Sequence, residues 1–489
     1  MWPTPGMYKR RRPERTVLYR LVREHAETLF AEASERSATG AGYPRHVENE
    51  FRRYLDCGVL SKGFMRVRCD ACQTDELVGF SCKGRAFCPS CLGRRMSDSA
   101  ARLCEDRLPE ARYRQWVFSF PWRIRVLLAK ESALWSEVLS VCHKKVFAYQ
   151  RRVARALGVT RPDTFGVSFT QRFGSLLTLN PHAHSVVPDA VCVETDKSEL
   201  ELRELPPPSD ADVEAIGLAI AKAVLAKVAR WADRGEEEDD SAHVLALREA
   251  AQSTVCVKDG GQGAVQAKRR QVLVQTELGC FSIDADRSVS ASDRAGLEKL
   301  LRYCGRPPLA QNRLSIRPSG KVSYRLRKPY FTGQTEVVLE PVAFLRRLAA
   351  LVPPPRQNHI RFYGLLSSQA KRREAFLKLV KKDVVGEGEP TGELARVAIS
   401  VTPEAEEPKA PGSTYRLSWA RLLARVFKHA VLTCKECGGK RRIVSAITEL
   451  EVAHRILAHL NLPTETPVLE PARAPPQLEL SDLDEWSPS

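Results

Sequence analysis

The spacing of apolar residues changes period along the chain, and each change predicts an element. In "SDRAGLEKLLRYCG", residues 292–305, Leu297, Leu300, Leu301 and Cys304 recur at i, i+3, i+4 and i+7, the signature of one buried helix face. Gly305, Pro307 and Pro308 stop that helix. Residues 163–193 read differently. "TFGVSFTQRF" and "LLTLNPHAHSVVPDAVCV" are alternating or continuously apolar and rich in β-branched residues, which predicts two strands. "NRLSIRPSGKVSYRLRKPYFTGQTEVVLEP" alternates between turn signals at "PSGK" and "FTGQ" and predicts a β-meander. Residues 1–50 read as helices with charged faces, and 51–115 as a cysteine-rich unit opening into the aromatic run "YRQWVFSFPW". Residues 116–383 form one larger α+β unit. Within it, 199–262 has a Pro-rich lead, one amphipathic helix and an acidic run, and reads as an insertion. Residues 384–413 read as a linker, 414–463 as a small C-terminal unit and 464–489 as a disordered, Pro-rich acidic tail. No internal repeat is visible.

At 489 residues, with 43 % hydrophobic and 28 % charged, the chain reads as a soluble globular protein of two to four domains. No apolar run approaches the roughly 20 residues that span a bilayer. The basic N-terminus lacks an apolar core or a small-residue cleavage site, so no signal peptide is expected and the cytoplasm is the expected compartment. The net charge is +17 and is concentrated: residues 301–380 hold 16 Lys and Arg against 3 Asp and Glu. That density suits a polyanion, because neutralising each phosphate releases counterions. A solvated surface would look the same by composition. Fourteen cysteines in a long chain without a secretion signal, several in C-x-x-C pairs, point to metal rather than disulfides.

"RCDACQTDELVGFSCKGRAFCPSC" sets Cys69-x-x-Cys72 fifteen residues before Cys88-x-x-Cys91. Two such knuckles suit a tetrahedral zinc site, each loop turning both sulfurs toward one ion. Cys57 and Cys82 read as core thiols, with substitution as ligands the alternative. Lys83, Arg85, Arg94 and Arg95 make the knuckle basic, consistent with a DNA-docking surface. Cys434 and Cys437 in "TCKECGGKRR" look like half a zinc ribbon with no partner pair, so a second zinc site is left open.

His182 and His184 lie two apart on a predicted strand and therefore face the same side. Two imidazoles can hold one divalent ion with positions left open for substrate. Tyr303 sits at the flank of the apolar stripe of the 292–305 helix, one turn after Lys299. Histidines, a divalent ion and a tyrosine are the parts needed to break a DNA strand by transesterification.

On these residues the chain resembles the rolling-circle transposases that carry an HUH nuclease domain behind a cysteine-rich zinc domain. These belong to the bacterial insertion sequences numbered ninety-one and their common-region relatives. The matching blocks include "CGVLSKGFMRVRCDACQTDELVGFSCKGRAFCPSCLGRRM", "FTQRFGSLLTLNPHAHSVVPDAV", "LEKLLRYCGRPPLAQNRLSI", "LVPPPRQNHIRFYGLLSSQAKRR" and "TCKECGGKRRIVSAIT", spread over residues 57–448. The resemblance implies an HUH domain with a central antiparallel sheet carrying the histidines. It implies that His182 and His184 bind Mg²⁺ or Mn²⁺, that Cys69, Cys72, Cys88 and Cys91 bind zinc, and that Tyr303 is the nucleophile joined to a 5′-phosphate. Some members have a second tyrosine four residues earlier; here that position is Lys299, so the chain resembles the single-tyrosine branch. The partner it implies is single-stranded DNA at element ends and target, in a bacterial cytoplasm at the nucleoid.

The third metal ligand is open: Gln171 and Glu298 are candidates. Tyr363 is the competing nucleophile. Lys299, Arg325, Lys328, Lys371, Arg372 and Arg373 are expected to contact DNA backbone. Pro181 and Pro188 are expected to shorten the histidine strand. The rival functions are a plasmid replication initiator or relaxase, with the same chemistry, and a zinc-dependent DNA-binding protein without catalysis.

Overall fold

The computed structural model describes residues 12–37, 40–195, 199–233, 241–252, 265–268, 270–329, 333–385, 431–465 and 468–473. The fold is α+β. An antiparallel sheet runs in the order β15 (Ile360–Gly364), β4 (Phe165–Phe173), β5 (Leu179–Pro188), β3 (Tyr113–Ser119), β10 (Gly279–Asp284), β9 (Gln271–Thr276) and β8 (Val265–Lys268). A short strand β11 (Ser288–Val289) pairs with β3. The histidine strand β5 is therefore central, hydrogen-bonded to β4 on one side and β3 on the other.

Strand alternation sorts the side chains to two covered faces. Trp116, Phe118, Ala183 and Val187 face α5 (Ser132–Ala156) and α6 (Asp210–Ala232). Tyr113, Val167, Phe169 and Val186 face α3 (Pro89–Asp106) and α8 (Arg294–Cys304). Helix α8 forms as its apolar spacing predicts: Leu297, Leu300, Leu301 and Cys304 are all buried, and the Asp293 side chain caps it by accepting from Gly296 N.

Three expectations change. First, Pro181 does not shorten β5. It lies beside a register shift between Gln171 and Phe173 of β4, the kind of irregularity that tolerates a missing N–H. The strand ends at Pro188 because the next residue, Asp189, is held in the core by Arg114 at 2.7 and 3.0 Å. The chain then leaves the sheet, and β6 (Ala190–Glu194) pairs with β7 (Leu200–Glu204) instead. Second, the described part of the stretch read as an insertion or carried subdomain is built into the core. Val213, Ile216, Ile220 and Val224 of α6 pack with Trp135, Val272 and Phe281. Helix α7 (Ala242–Gln252) joins another core with α1 (Val17–Arg36), α2 (Arg45–Leu55) and α9 (Pro341–Ala350). Third, the C-terminal segment is not a separate unit: β16 (Arg441–Ile447) pairs with β1 (Phe64–Cys69), which pairs with β2 (Asp75–Gly79).

The expected meander is present as β12 (Leu314–Ile316), β13 (Val322–Arg325) and β14 (Glu336–Leu339). The proposed linker lies almost wholly outside the described residues. Part of the expected disordered tail is seated: Glu470 N donates to Arg23 O at 3.0 Å, Arg473 N to Thr28 Oγ1 at 3.0 Å, and Leu469 packs on the N-terminal core. Among the described residues no helix is long and apolar enough to cross a membrane.

Candidate metal centres and strand-cleavage site

On β5, His182 and His184 present their rings to the α8 face with centroids 5.0 Å apart. Helix α8 brings the Tyr303 ring edge-on to His184, at 5.5 Å between centroids. Each imidazole is oriented through Nδ1. His182 Nδ1 lies 2.7 Å from Asn180 O. This bond makes Nδ1 the donor and leaves Nε2 with a bare lone pair. His184 Nδ1 accepts from Gln115 Nε2 at 2.8 Å, so in the neutral ring the proton lies on Nε2, which is buried without a hydrogen-bond partner; ligation through Nε2 requires the Gln115 amide to turn its oxygen to an Nδ1–H. The His182 ring is held as metal-binding imidazoles typically are, with its second nitrogen donating to a neighbouring acceptor.

Burial pushes His182 down to about 4, with Asn180 O opposing and Arg306 and Arg125 adding to the shift. Burial also pushes His184 well below the ordinary value, helped by His182 and Arg306. Both rings are therefore neutral near pH 7, the form that ligates a cation. The donor set fits a divalent ion on this evidence of geometry and protonation. Among the described residues no Cys, Asp, Glu or further His joins this pair to form a set of three.

Gln171 is the best-placed third ligand. It is the direct cross-strand neighbour of His182, so both project from the same face. Its Nε2 donates to Cys304 O at 2.7 Å, while its Oε1 is buried and unpartnered. Lys299 is exposed on α8, one turn before Tyr303. Glu298 lies on the same helix and outside any such ligand set. Tyr363 is removed from competition: its ring stacks on His143 at 3.7 Å, under the opposite face of the sheet. Arg306 lies 4.8 Å and Arg287 5.7 Å from the Tyr303 ring centroid, bringing positive charge to where a phosphate would approach.

Gln115, Arg287 and Arg306 did not stand out in the sequence. A signal existed for Gln115, a polar residue inside the apolar strand "YRQWVFSF" and now 4 % exposed.

The cysteines sort differently from their sequence spacing. One cluster is Cys57, Cys82, Cys88 and Cys91; the other is Cys69, Cys72, Cys434 and Cys437. The expected grouping of Cys69 and Cys72 with Cys88 and Cys91 is thus not formed, and Cys57 and Cys82 are not plain core thiols. The reason is topological. Pairing of β16 with β1 carries the Cys434–Cys437 knuckle to the end of β1, where Cys69 lies. Cys88 and Cys91 open α3 and meet Cys57, just after α2.

Cys91 lies 3.7 Å from Cys57 and 3.4 Å from Cys82, and Cys57 3.6 Å from Cys88; Cys69–Cys437 and Cys72–Cys434 are 3.5 Å apart, and within each set all four sulfurs lie within 4.8 Å of one another. A tetrahedron with bonds of about 2.3 Å has edges of about 3.8 Å, so both sets fit zinc. Gly439 permits the close approach: a Cβ there would lie 3.0 Å from Ala71 Cβ and 3.4 Å from Cys69 Sγ. Hydrogen bonds from Cys82, Cys88 and Cys91 push the Cys57 thiol strongly down. Backbone hydrogen bonding at Cys437 brings Cys434 down to about 5.

The basic residues divide. Lys83, Arg325, Lys328 and Lys371 are exposed, while Arg373 is half-buried at the start of α10 (Arg373–Val385). Arg372 is engaged by Asp163 and by Glu194 at 2.9 Å. Arg94 donates to Ser81 Oγ at 3.0 Å and Arg95 to Lys83 O at 3.2 Å. Arg85 donates to Gln357 O and lines a cavity beside α8.

Comparison with known families gives two matches. Residues 23–120 match the transposase zinc-binding domain of the IS91 type. Residues 166–374, which hold both histidines and Tyr303, match the Y2_Tnp transposase family. No curated protein and no solved structure matches the chain.

Proposed function

The chain belongs to the IS91-type transposases, and from that premise we propose that it cuts and transfers single-stranded DNA through a covalent phosphotyrosine, in rolling-circle transposition. The Tyr303 oxygen attacks the scissile phosphorus. A Tyr–O–P bond forms, the P–O3′ bond breaks, and the products are a 5′-phosphotyrosine and a free 3′-hydroxyl. Attack by another 3′-hydroxyl on the phosphotyrosine reverses the exchange on a new strand, so no nucleotide cofactor is consumed.

His182 and His184, with Gln171, would hold Mg²⁺ or Mn²⁺, which supplies charge stabilisation to the scissile phosphate when bound. Arg306, Arg287 and Lys299 position the DNA backbone. The reading rests on one observation: the His182 and His184 rings share one sheet face, and the Tyr303 ring meets His184 there. With Lys299 in place of a second tyrosine, each active site performs one cleavage, or a second subunit supplies the other. Two zinc ions, one on each four-cysteine cluster, hold the N-terminal domain. Arg85, Arg94, Arg95, Arg325, Lys328, Lys371 and Arg373 supply the DNA-binding charge.

The test mixes full-length protein with Mn²⁺ and single-stranded oligonucleotides covering the element's ends, and looks for a protein–DNA adduct on a denaturing gel. Wild type forms the adduct and Tyr303→Phe does not. An adduct with Tyr303→Phe overturns the nucleophile. No adduct from wild type on any end sequence overturns the nuclease, leaving a DNA-binding role.

A further inference from the structure

A cavity opens beside the Tyr303 site and shares Gln171 and Arg306 with it. One wall comes from the zinc-binding region: Arg85, then Leu92, Arg95 and Met96 of α3. The other comes from the catalytic sheet and the end of α8: Phe169 to Phe173, Cys304 to Arg306, and His359. Gln171 and Arg306 thus belong both to this cavity and to the surroundings of Tyr303.

Its chemistry is specific in three respects. Four arginines line it, Arg85, Arg95, Arg172 and Arg306, and no carboxylate does among the described residues. Phe169, Phe173, Met96 and Leu92 supply flat or pliable apolar surface. Apart from Gln171 Oε1, assigned above to the ion, four lining residues each hold a buried polar atom without a hydrogen-bond partner: Arg95 Nη1, Arg172 Nε, Arg306 Nε and His359 Nε2. Buried polar groups are ordinarily satisfied, and so many orphans on one cavity call for an explanation. An excess of cationic and polar groups around an apolar slot fits a ligand with an anionic end and a flat, hydrogen-bonding, aromatic end.

We propose that this cavity takes one unstacked nucleotide of the single strand, next to the scissile phosphate. Its base lies between the α3 and β4 walls and its phosphate on the arginines. The proposal rests on the strand-cleavage reading for the identity of the strand, and it adds a consequence. The pocket is completed by α3, whose first turn carries Cys91, so the zinc cluster of Cys57, Cys82, Cys88 and Cys91 positions half of a nucleotide subsite. Extruded bases are recognised in this way, by stacking on side chains and by hydrogen bonds to the base edge.

The test uses zinc-loaded, full-length protein and two random-sequence single-stranded pools, one carrying 4-thiothymidine and one 6-thioguanine. After irradiation without added divalent ion, crosslinked peptides are mapped by mass spectrometry. Crosslinks are expected on Met96, Phe169 or Phe173. Met96→Trp, which fills the slot, lowers them by about tenfold or more, the range expected when base stacking is lost. Arg95→Ala, checked for an unchanged melting temperature, lowers them as well and guards against misfolding of the first variant. Crosslinks confined to other surfaces, or cavity crosslinks unaffected by both variants, overturn the proposal. The outcome is separable from the adduct assay. An adduct without cavity crosslinks sinks the pocket and keeps the nuclease. Cavity crosslinks without an adduct keep the pocket and sink the nuclease.

Discussion

Zinc stoichiometry in paired cysteine variants separates the two possible groupings of knuckles. The clusters Cys57, Cys82, Cys88, Cys91 and Cys69, Cys72, Cys434, Cys437 predict two zinc ions per chain. Structural zinc sites have apparent binding energies of roughly 10–16 kcal/mol at neutral pH, shared by four thiolates. Removing one ligand therefore costs about 2.5–4 kcal/mol, a loss of roughly a hundred- to a thousandfold in affinity. A chelator buffer set between the intact and weakened affinities empties only the altered site. Cys69→Ser with Cys437→Ser should then leave one zinc per chain, since both residues serve one cluster. Cys69→Ser with Cys88→Ser should leave none, since each disables a different cluster. Zinc is read by plasma mass spectrometry after the chelator is removed. The reverse pattern, one zinc retained in Cys69→Ser/Cys88→Ser and none in Cys69→Ser/Cys437→Ser, would refute the topological argument and restore the grouping by sequence proximity.

Three further outcomes are expected. Gln115→Leu removes the polar partner of His184 Nδ1; Mn²⁺ affinity should fall about 10- to 100-fold with zinc content unchanged, and an unaltered affinity would show that Gln115 does not orient the ring. Asp189→Asn leaves Arg114, 1 % exposed, buried without its counter-charge; unfolding of the catalytic core in urea should be easier by about 3–5 kcal/mol, and a cost below about 1 kcal/mol would refute the role of this pair in ending β5. Burial pushes His143 down to about 4 from an ordinary 6.5, so the unfolded chain binds the extra proton. Its stabilisation is complete above pH 6.5 and is lost as pH falls toward 4, by about 3 kcal/mol in all. His143→Gln should flatten the pH dependence of stability in that window, and an unchanged slope would count against it.

Local pattern determined much of this protein. The stripe of Leu297, Leu300, Leu301 and Cys304 specified α8, because a helix must bury one face. The i, i+2 spacing of His182 and His184 specified that both rings share a side, because a strand alternates. Both statements depend only on backbone periodicity. What failed were statements about partners distant in sequence. Cys69 and Cys88 look paired because they are near in sequence, yet β16 returns from the far end of the chain to pair with β1 and supplies Cys434 and Cys437. The 199–262 stretch looks like an insertion by composition, yet its apolar face is buried against Trp135 and Phe281. Strand order and long-range burial decide such matters, and neither has a local period. The grouping of His184 and Tyr303 falls between these cases: the strand and the helix were legible separately, and only the packing of α8 on β5 set Tyr303 beside His184 and left Gln115, Gln171 and Arg306 around them.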